Sequence, residues 1–212
     1  MPDHTLGTPV LELRDRRIYR LGDSSPTVWL IDDRELGGIL VNAPPFSNDT
    51  LAAIREVTRP AYVFLPSRHG ARNLAAWHGA GLEILAFEAE APAIRAEGGI
   101  VDIAFNRKQR LSRTIDFLPM AGVTEGSCAL RLKNLPGVIF FGPMLAPGPD
   151  GWPTLTPNPD DHSWEARLFG ALGVKDLKFA YAFCDRFEPG KTRFGPDADT
   201  QIQQRIEAVF EE

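Results

Sequence analysis

The run Ala61-Tyr62-Val63-Phe64-Leu65 constrains this chain more than any other stretch. It follows Pro60 and is stopped by Pro66, so it is too short for a buried helix and reads as a strand. It offers no polar side to water. A strand of that kind is covered on both faces, usually in a parallel sheet with helices over it. The neighbouring sequence supplies those helices. Upstream, Asn48 is a cap for a helix with Leu51, Ile54 and Val57 broadly on one face, ended by Pro60. Downstream, residues 71–78 are helical in composition, with Leu74 and Trp77 on one side and Gly79 and Gly81 closing the helix.

The flanking stretches extend the sheet. Residues 10–13 and 17–21 alternate apolar and polar, as half-buried strands do. Gly22-Asp23-Ser24-Ser25-Pro26 is a turn cluster. Residues 27–31 and 37–42 form a hairpin through Asp32-Asp33-Arg34-Glu35. A strand follows at 82–87, then a short acidic, alanine-rich segment at 88–97 interrupted by Pro92. The second half carries short strands at 99–103, 114–118, 128–132, 137–141 and 178–183, with a basic turn at 106–113. A Pro-, Gly- and Asp-rich loop at 143–159 is too long for a mere connector, and its Trp152 and Leu155 are read as a cover over a cleft or a dimer contact. Asp161 is expected to cap a helix at 162–172. Asp197 is expected to cap a last helix with Ile202, Ile206 and Phe210 at four-residue spacing. No linker or internal repeat interrupts this order. The expectation is one layered α/β domain over residues 1–212.

Charge and composition exclude some functions. A net charge of −5 over 212 residues gives no concentrated basic face for nucleic acid. No apolar run approaches the roughly 20 residues needed to span a bilayer. Met1-Pro2-Asp3-His4-Thr5 lacks the basic and apolar regions of a signal peptide. Cys128 and Cys184 make no disulfide framework. A soluble, cytoplasmic protein with free thiols is expected.

Known catalytic patterns are mostly absent. The four histidines, His4, His69, His78 and His162, include no His-x-His or His-x-x-x-His pair. His69 and His78 bracket a helix, which separates their backbones by roughly 13 Å. Gly-x-Ser-x-Gly does not occur. Ser67 reads as a turn residue or helix cap, and Cys184 as a small core residue. Gly190-Lys191-Thr192 lacks the upstream glycine of a phosphate loop, and Phe194-Gly195-Pro196 prevents the helix such a loop needs. What remains is the corner Ser67-Arg68-His69-Gly70-Ala71-Arg72, where the buried strand hands over to a helix. Arg68, His69 and Arg72 at a helix N-terminus could form an anion site. The alternative is two surface arginines paired with nearby acids.

The order of elements resembles the metallo-β-lactamase fold, a four-layer αβ/βα sandwich, over nearly the whole chain. In active members a strand ends in an acidic residue, a buried strand leads to a His-x-His-x-Asp-His loop, a later turn reads roughly Gly-His-Thr-x-Gly-Ser, and a further strand ends in Gly-Asp. The counterparts here are Gly38-Ile39-Leu40-Val41-Asn42, Ser67-Arg68-His69-Gly70-Ala71-Arg72, Gly122-Val123-Thr124-Glu125-Gly126-Ser127 and Gly137-Val138-Ile139-Phe140-Phe141-Gly142-Pro143. On this resemblance Asn42 stands for the acid, and Ser67, Ala71, Arg72, Val123 and Pro143 stand for ligands; only His69 is kept. It implies the fold without its metal cofactor. The function implied is a metal-free, non-catalytic protein that binds a small anionic ligand or a protein partner. The candidate binding residues are Asn42, Ser67, Arg68, His69 and Arg72. Two other readings stay open: hydrolysis of an ester, thioester or lactam through Ser67, Cys184 or His69, and a structural role as a homodimer.

Overall fold

The computed structural model describes residues 6–211; His4 lies outside them. These residues fall into two compact units, one made of the chain up to Ala86 with Ala91–Ala104, the other of Phe87–Glu90 with Phe105 onward.

The first unit is built on a seven-stranded sheet whose spatial order follows the sequence: β1 (Leu11–Glu12), β2 (Arg16–Leu21), β3 (Val28–Asp33), β4 (Gly37–Val41), β5 (Pro60–Leu65), β6 (Glu83–Phe87) and β7 (Ile103–Phe105). β2, β3 and β4 form an antiparallel meander. The polar residues 32–33, expected in the turn, extend β3 instead. The reason is charge pairing across the strands: Arg17 bonds Asp32 at 2.7 Å and Arg16 bonds the buried Asp33 at 2.6 Å. β5 then runs parallel to both β4 and β6, as its apolar sequence requires.

Helix α1 (Asn48–Val57) is capped by Ser47, one residue before the expected cap; its hydroxyl accepts from Thr50 N at 3.0 Å. Leu51, Ala53 and Ile54 face the core. Helix α2 (Leu74–Gly79) starts three residues later than expected, for a reason taken up below. Pro92 falls in the first turn of α3 (Ala91–Ala96), where a missing N–H costs nothing. The strand expected at 99–103 is displaced to β7. Asp102 closes the segment ahead of it by exchanging bonds with the backbone of Ile84, at 2.8 and 2.9 Å.

The second unit carries a five-stranded sheet in the order β14 (Tyr181–Phe183), β11 (Val138–Phe140), β10 (Cys128–Leu132), β9 (Ile115–Pro119) and β8 (Gln109–Arg110). The 143–159 loop folds on itself through the small hairpin β12 (Ala146–Pro147) and β13 (Pro153–Thr154). Trp152 and Leu155 are buried in this unit's apolar core with Ile202 and Ile206. They are packing residues of this unit's own core. Helix α4 (Trp164–Leu172) is capped by Ser163, whose hydroxyl accepts from Ala166 N at 3.1 Å. Asp161, the expected cap, is drawn off by Arg167 at 2.5 Å. Helix α5 (Ala198–Glu211) starts after Asp197, as its sequence suggests. Among the described residues no helix is long and apolar enough to cross a membrane.

Candidate ligand-binding corner

The corner is assembled where β4 and β5 end side by side. Asn42 follows β4 with a left-handed backbone, φ 65°, which asparagine tolerates better than most residues. Its N–H donates to Phe64 O at 3.0 Å, which continues the ladder to β5 by one step. The next N–H, of Ala43, donates to Gly70 O at 2.9 Å and ties the end of β4 to the loop after β5.

That loop does not open directly into a helix. Ser67 is extended, and a single 3-10 turn (Arg68–Gly70) follows, closed by Gly70 N to Ser67 O at 3.2 Å. Ser67 takes the cap position, yet its hydroxyl makes no capping bond. Asn73 is left-handed, φ 47°, and its Oδ1 accepts from Phe46 N at 3.1 Å. The backbone reversal at Asn73 is what delays α2. With only six residues after that reversal, α2 does not present the Arg68–Arg72 segment with a helix N-terminus. The fully buried Trp77 anchors α2 by donating Nε1 to Pro44 O at 2.9 Å and by packing edge-on to Phe46.

The structure brings two of the five candidate residues, Asn42 and Arg72, onto one turn. Asn42 Nδ2 donates to Thr27 O at 2.9 Å, and an Arg72 terminal nitrogen donates to Ser25 O. Both therefore grip the turn between β2 and β3. Gly70 sits against Asn42 so closely that a Cβ there would lie 1.9 Å from Asn42 Oδ1. Ser67 is fully buried, and its Oγ has no hydrogen-bond partner among the described residues. The same is true of Arg72 Nη1. Arg68 is half-buried and His69 is exposed. Sequence reasoning missed Gly70, Asn73 and the Ser25–Thr27 carbonyls. Asn73 carried a signal, an asparagine between a loop and a helix; backbone carbonyls carry none.

The other segments matched to the family motif lie in the second unit. In the turn that begins at Gly122, the Ser127 hydroxyl donates to Met120 O at 2.8 Å, and Gly126 N donates to the buried Glu90 at 2.8 Å. Gly122, φ 133°, is pressed against Arg167, where a Cβ would meet Cγ at 2.2 Å. Pro143 is half-buried just after Gly142. Cys184 is buried, and burial first, then Asp185, pushes its thiol up from 9.0 to about 12. Burial likewise pushes the Cys128 thiol up, with Glu90 adding to it.

No family model matches the chain and no curated protein matches its sequence. Solved structures do match. DIM-1 metallo-β-lactamase superposes with a TM-score of 0.71 over 97% of this chain and 98% of its own, at 11% identity. The chain has the metallo-β-lactamase fold. A metallo-β-lactamase from Pontibacter korlensis gives 0.69 over 96% of each chain at 11% identity. BJP-1, a subclass B3 enzyme of Bradyrhizobium japonicum, gives 0.61 over 98% of this chain and 94% of its own, at 14% identity. Identities this low carry the fold and leave the chemistry to the residues present. Among the described residues no three of His, Cys, Asp and Glu come together as a group that could hold a metal ion.

Proposed function

We propose that this protein works without a metal ion and binds a small anion at the Ser67–Arg72 corner, without catalysing its turnover. One observation carries the reading: two hydrogen-bond donors of the corner, Ser67 Oγ and Arg72 Nη1, are buried without partners among the described residues. Each such donor costs about 1–3 kcal/mol until an acceptor arrives. An anion offers only acceptors, and the Arg72 guanidinium adds a positive charge that attracts it.

The corner does not fit the divalent ion that this fold implies. Zinc needs three or four N, S or O ligands at about 2.0–2.3 Å. Here Arg72 brings a fixed positive charge that would repel an ion, the Ala71 methyl packs on the apolar core, and Asn42 spends its amide on Thr27. The hydrolytic alternatives find less support. Cys184 is held as a neutral thiol, a poor nucleophile, and no base is bonded to the Ser67 hydroxyl, which has no partner among the described residues.

Two measurements test the reading. Elemental analysis of purified protein should find no stoichiometric zinc, iron or manganese; finding one would overturn the metal-free part. Calorimetric titration with inorganic phosphate and with acetate should show saturable binding that weakens by about tenfold or more in R72M and S67A, one charge-assisted bond being of that order. Unchanged affinity in both folded variants would overturn the anion site. Turnover of an activated thioester by the parent protein and not by S67A would overturn the non-catalytic part.

A further inference from the structure

The sheet of the second unit gathers more positive charge than its acids balance. Between Asn106 and Lys133 the sequence holds six Lys and Arg against two Asp and Glu, although the whole chain is at −5. Strand register puts five of these charges on one face. Asp116 lies directly opposite Arg110 on β8 and Arg131 on β10. Lys108 and Lys133 are two residues along the chain from those arginines and so share their side. Further along the same face Leu118, Ala129, Ile139 and Ala182 enter the apolar core. The charged end is the part that stays open.

Asp116 is the only acid in this group, and it is buried. Lys133 Nζ bonds it at 3.0 Å. Lys108 Nζ and Arg110 Nε stand 3.7 Å from it, held by its charge yet beyond good hydrogen-bond distance. Their side chains are 56% and 71% exposed, so their N–H groups point to where a ligand could reach them. Arg131 donates to Lys178 O at 3.3 Å, and its Nε has no partner among the described residues. One carboxylate thus collects three cations, with Arg131 opposite it on β10, and it cannot offset their mutual repulsion alone. A group carrying two or more negative charges and several acceptor oxygens would do so.

We propose that this face binds a phosphate group, with Lys108 and Arg110 donating to it and Lys133 completing the positive rim. The ligand class is a phosphorylated small molecule or the phosphate headgroup of a lipid; the chemistry recognised is the same. The site is independent of the Ser67–Arg72 corner, which lies in the other unit.

The test uses the full chain and K108A/R110A, with circular dichroism confirming that the variant folds. Tripolyphosphate is titrated by calorimetry, and vesicles of phosphatidylcholine with about one-third phosphatidylserine are used in co-sedimentation at low salt. Both titrations are run in the R72M background, which silences the Ser67–Arg72 corner; saturable binding in either arm is expected there, weakened about tenfold or more when K108A/R110A is added. The arm that responds names the source of the phosphate. Saturation in neither arm, or equal affinity with and without K108A/R110A, would overturn the proposal. Binding of vesicles that survives about 0.5 M salt would also overturn it, because contacts made by exposed cations are screened there.

Discussion

Replacing Gly70 by alanine adds a methyl group where the corner has no room for one. The new Cβ would lie 1.9 Å from Asn42 Oδ1 and 2.7 Å from Asn42 Cγ. Asn42 cannot swing aside without loss, since it is fully buried and its amide donates to Thr27 O at 2.9 Å. Gly70 itself is not in the left-handed region, so the penalty is steric and comes from Asn42. Overpacking of this kind costs about 1–3 kcal/mol. N42G removes the obstacle and accepts the positive φ at that position, but it deprives the buried Thr27 carbonyl of a donor, for a similar cost of about 1–3 kcal/mol. The steric penalty exists only while the Asn42 side chain is present, so the two losses must not add. G70A/N42G should be more stable than the sum of the single losses predicts by about 1–2 kcal/mol. Urea unfolding followed by circular dichroism reads this directly. With a slope of about 2 kcal/mol/M, a loss of about 2 kcal/mol moves the midpoint by about 1 M. An unchanged midpoint for G70A, or strict additivity in the double variant, would refute the claim that Gly70 is required by contact with Asn42.

Two further outcomes follow from the second unit. Arg167 is buried; it bonds the equally buried Asp161 at 2.5 Å and Thr156 O at 3.0 Å, and also donates to Met144 O. R167M strands the Asp161 carboxylate and should cost about 3–5 kcal/mol in urea, with R167M/D161N recovering part of it; a loss under about 1 kcal/mol would mean that water reaches the pair. Cys184 gives a pH signature. Its thiol is raised from 9.0 to about 12 by folding, so the stability it contributes is complete below pH 9 and is lost as pH climbs toward 12. Unfolding midpoints measured across that window should fall less steeply in C184A than in the parent, and identical slopes would remove Cys184 from the account. Both buried cysteines should also resist a thiol reagent near pH 8 until urea is added.

The legible parts of this fold are those where local pattern and tertiary environment agree. Residues 61–65 read as a strand covered on both faces because they are one, held between β4 and β6. The 128–132 strand and the capped helix near residue 48 were legible for the same reason. Misreadings cluster where a side chain is claimed from far away. Asp161 resembles a cap until Arg167 takes it, and Asp32 and Asp33 resemble a turn until Arg17 and Arg16 pair with them. The burial of Trp152 and Leu155 was hidden as well, because a Pro- and Gly-rich loop does not announce its own hairpin.

By itself the sequence determined the α/β order and the strand-to-helix corner after Leu65, with Ser67, Ala71 and Arg72 in it. These follow from residue type and spacing, which are local properties. Tertiary structure alone decided what those residues touch. It set Arg72 and Asn42 on the Ser25–Thr27 turn, wedged Gly70 against Asn42, and turned the chain at Asn73 so that α2 begins too late to serve the corner. It also placed Lys108, Arg110 and Lys133 around the Asp116 carboxylate. Such contacts join positions tens of residues apart, and no local period along the chain encodes which distant partner a polar group will find.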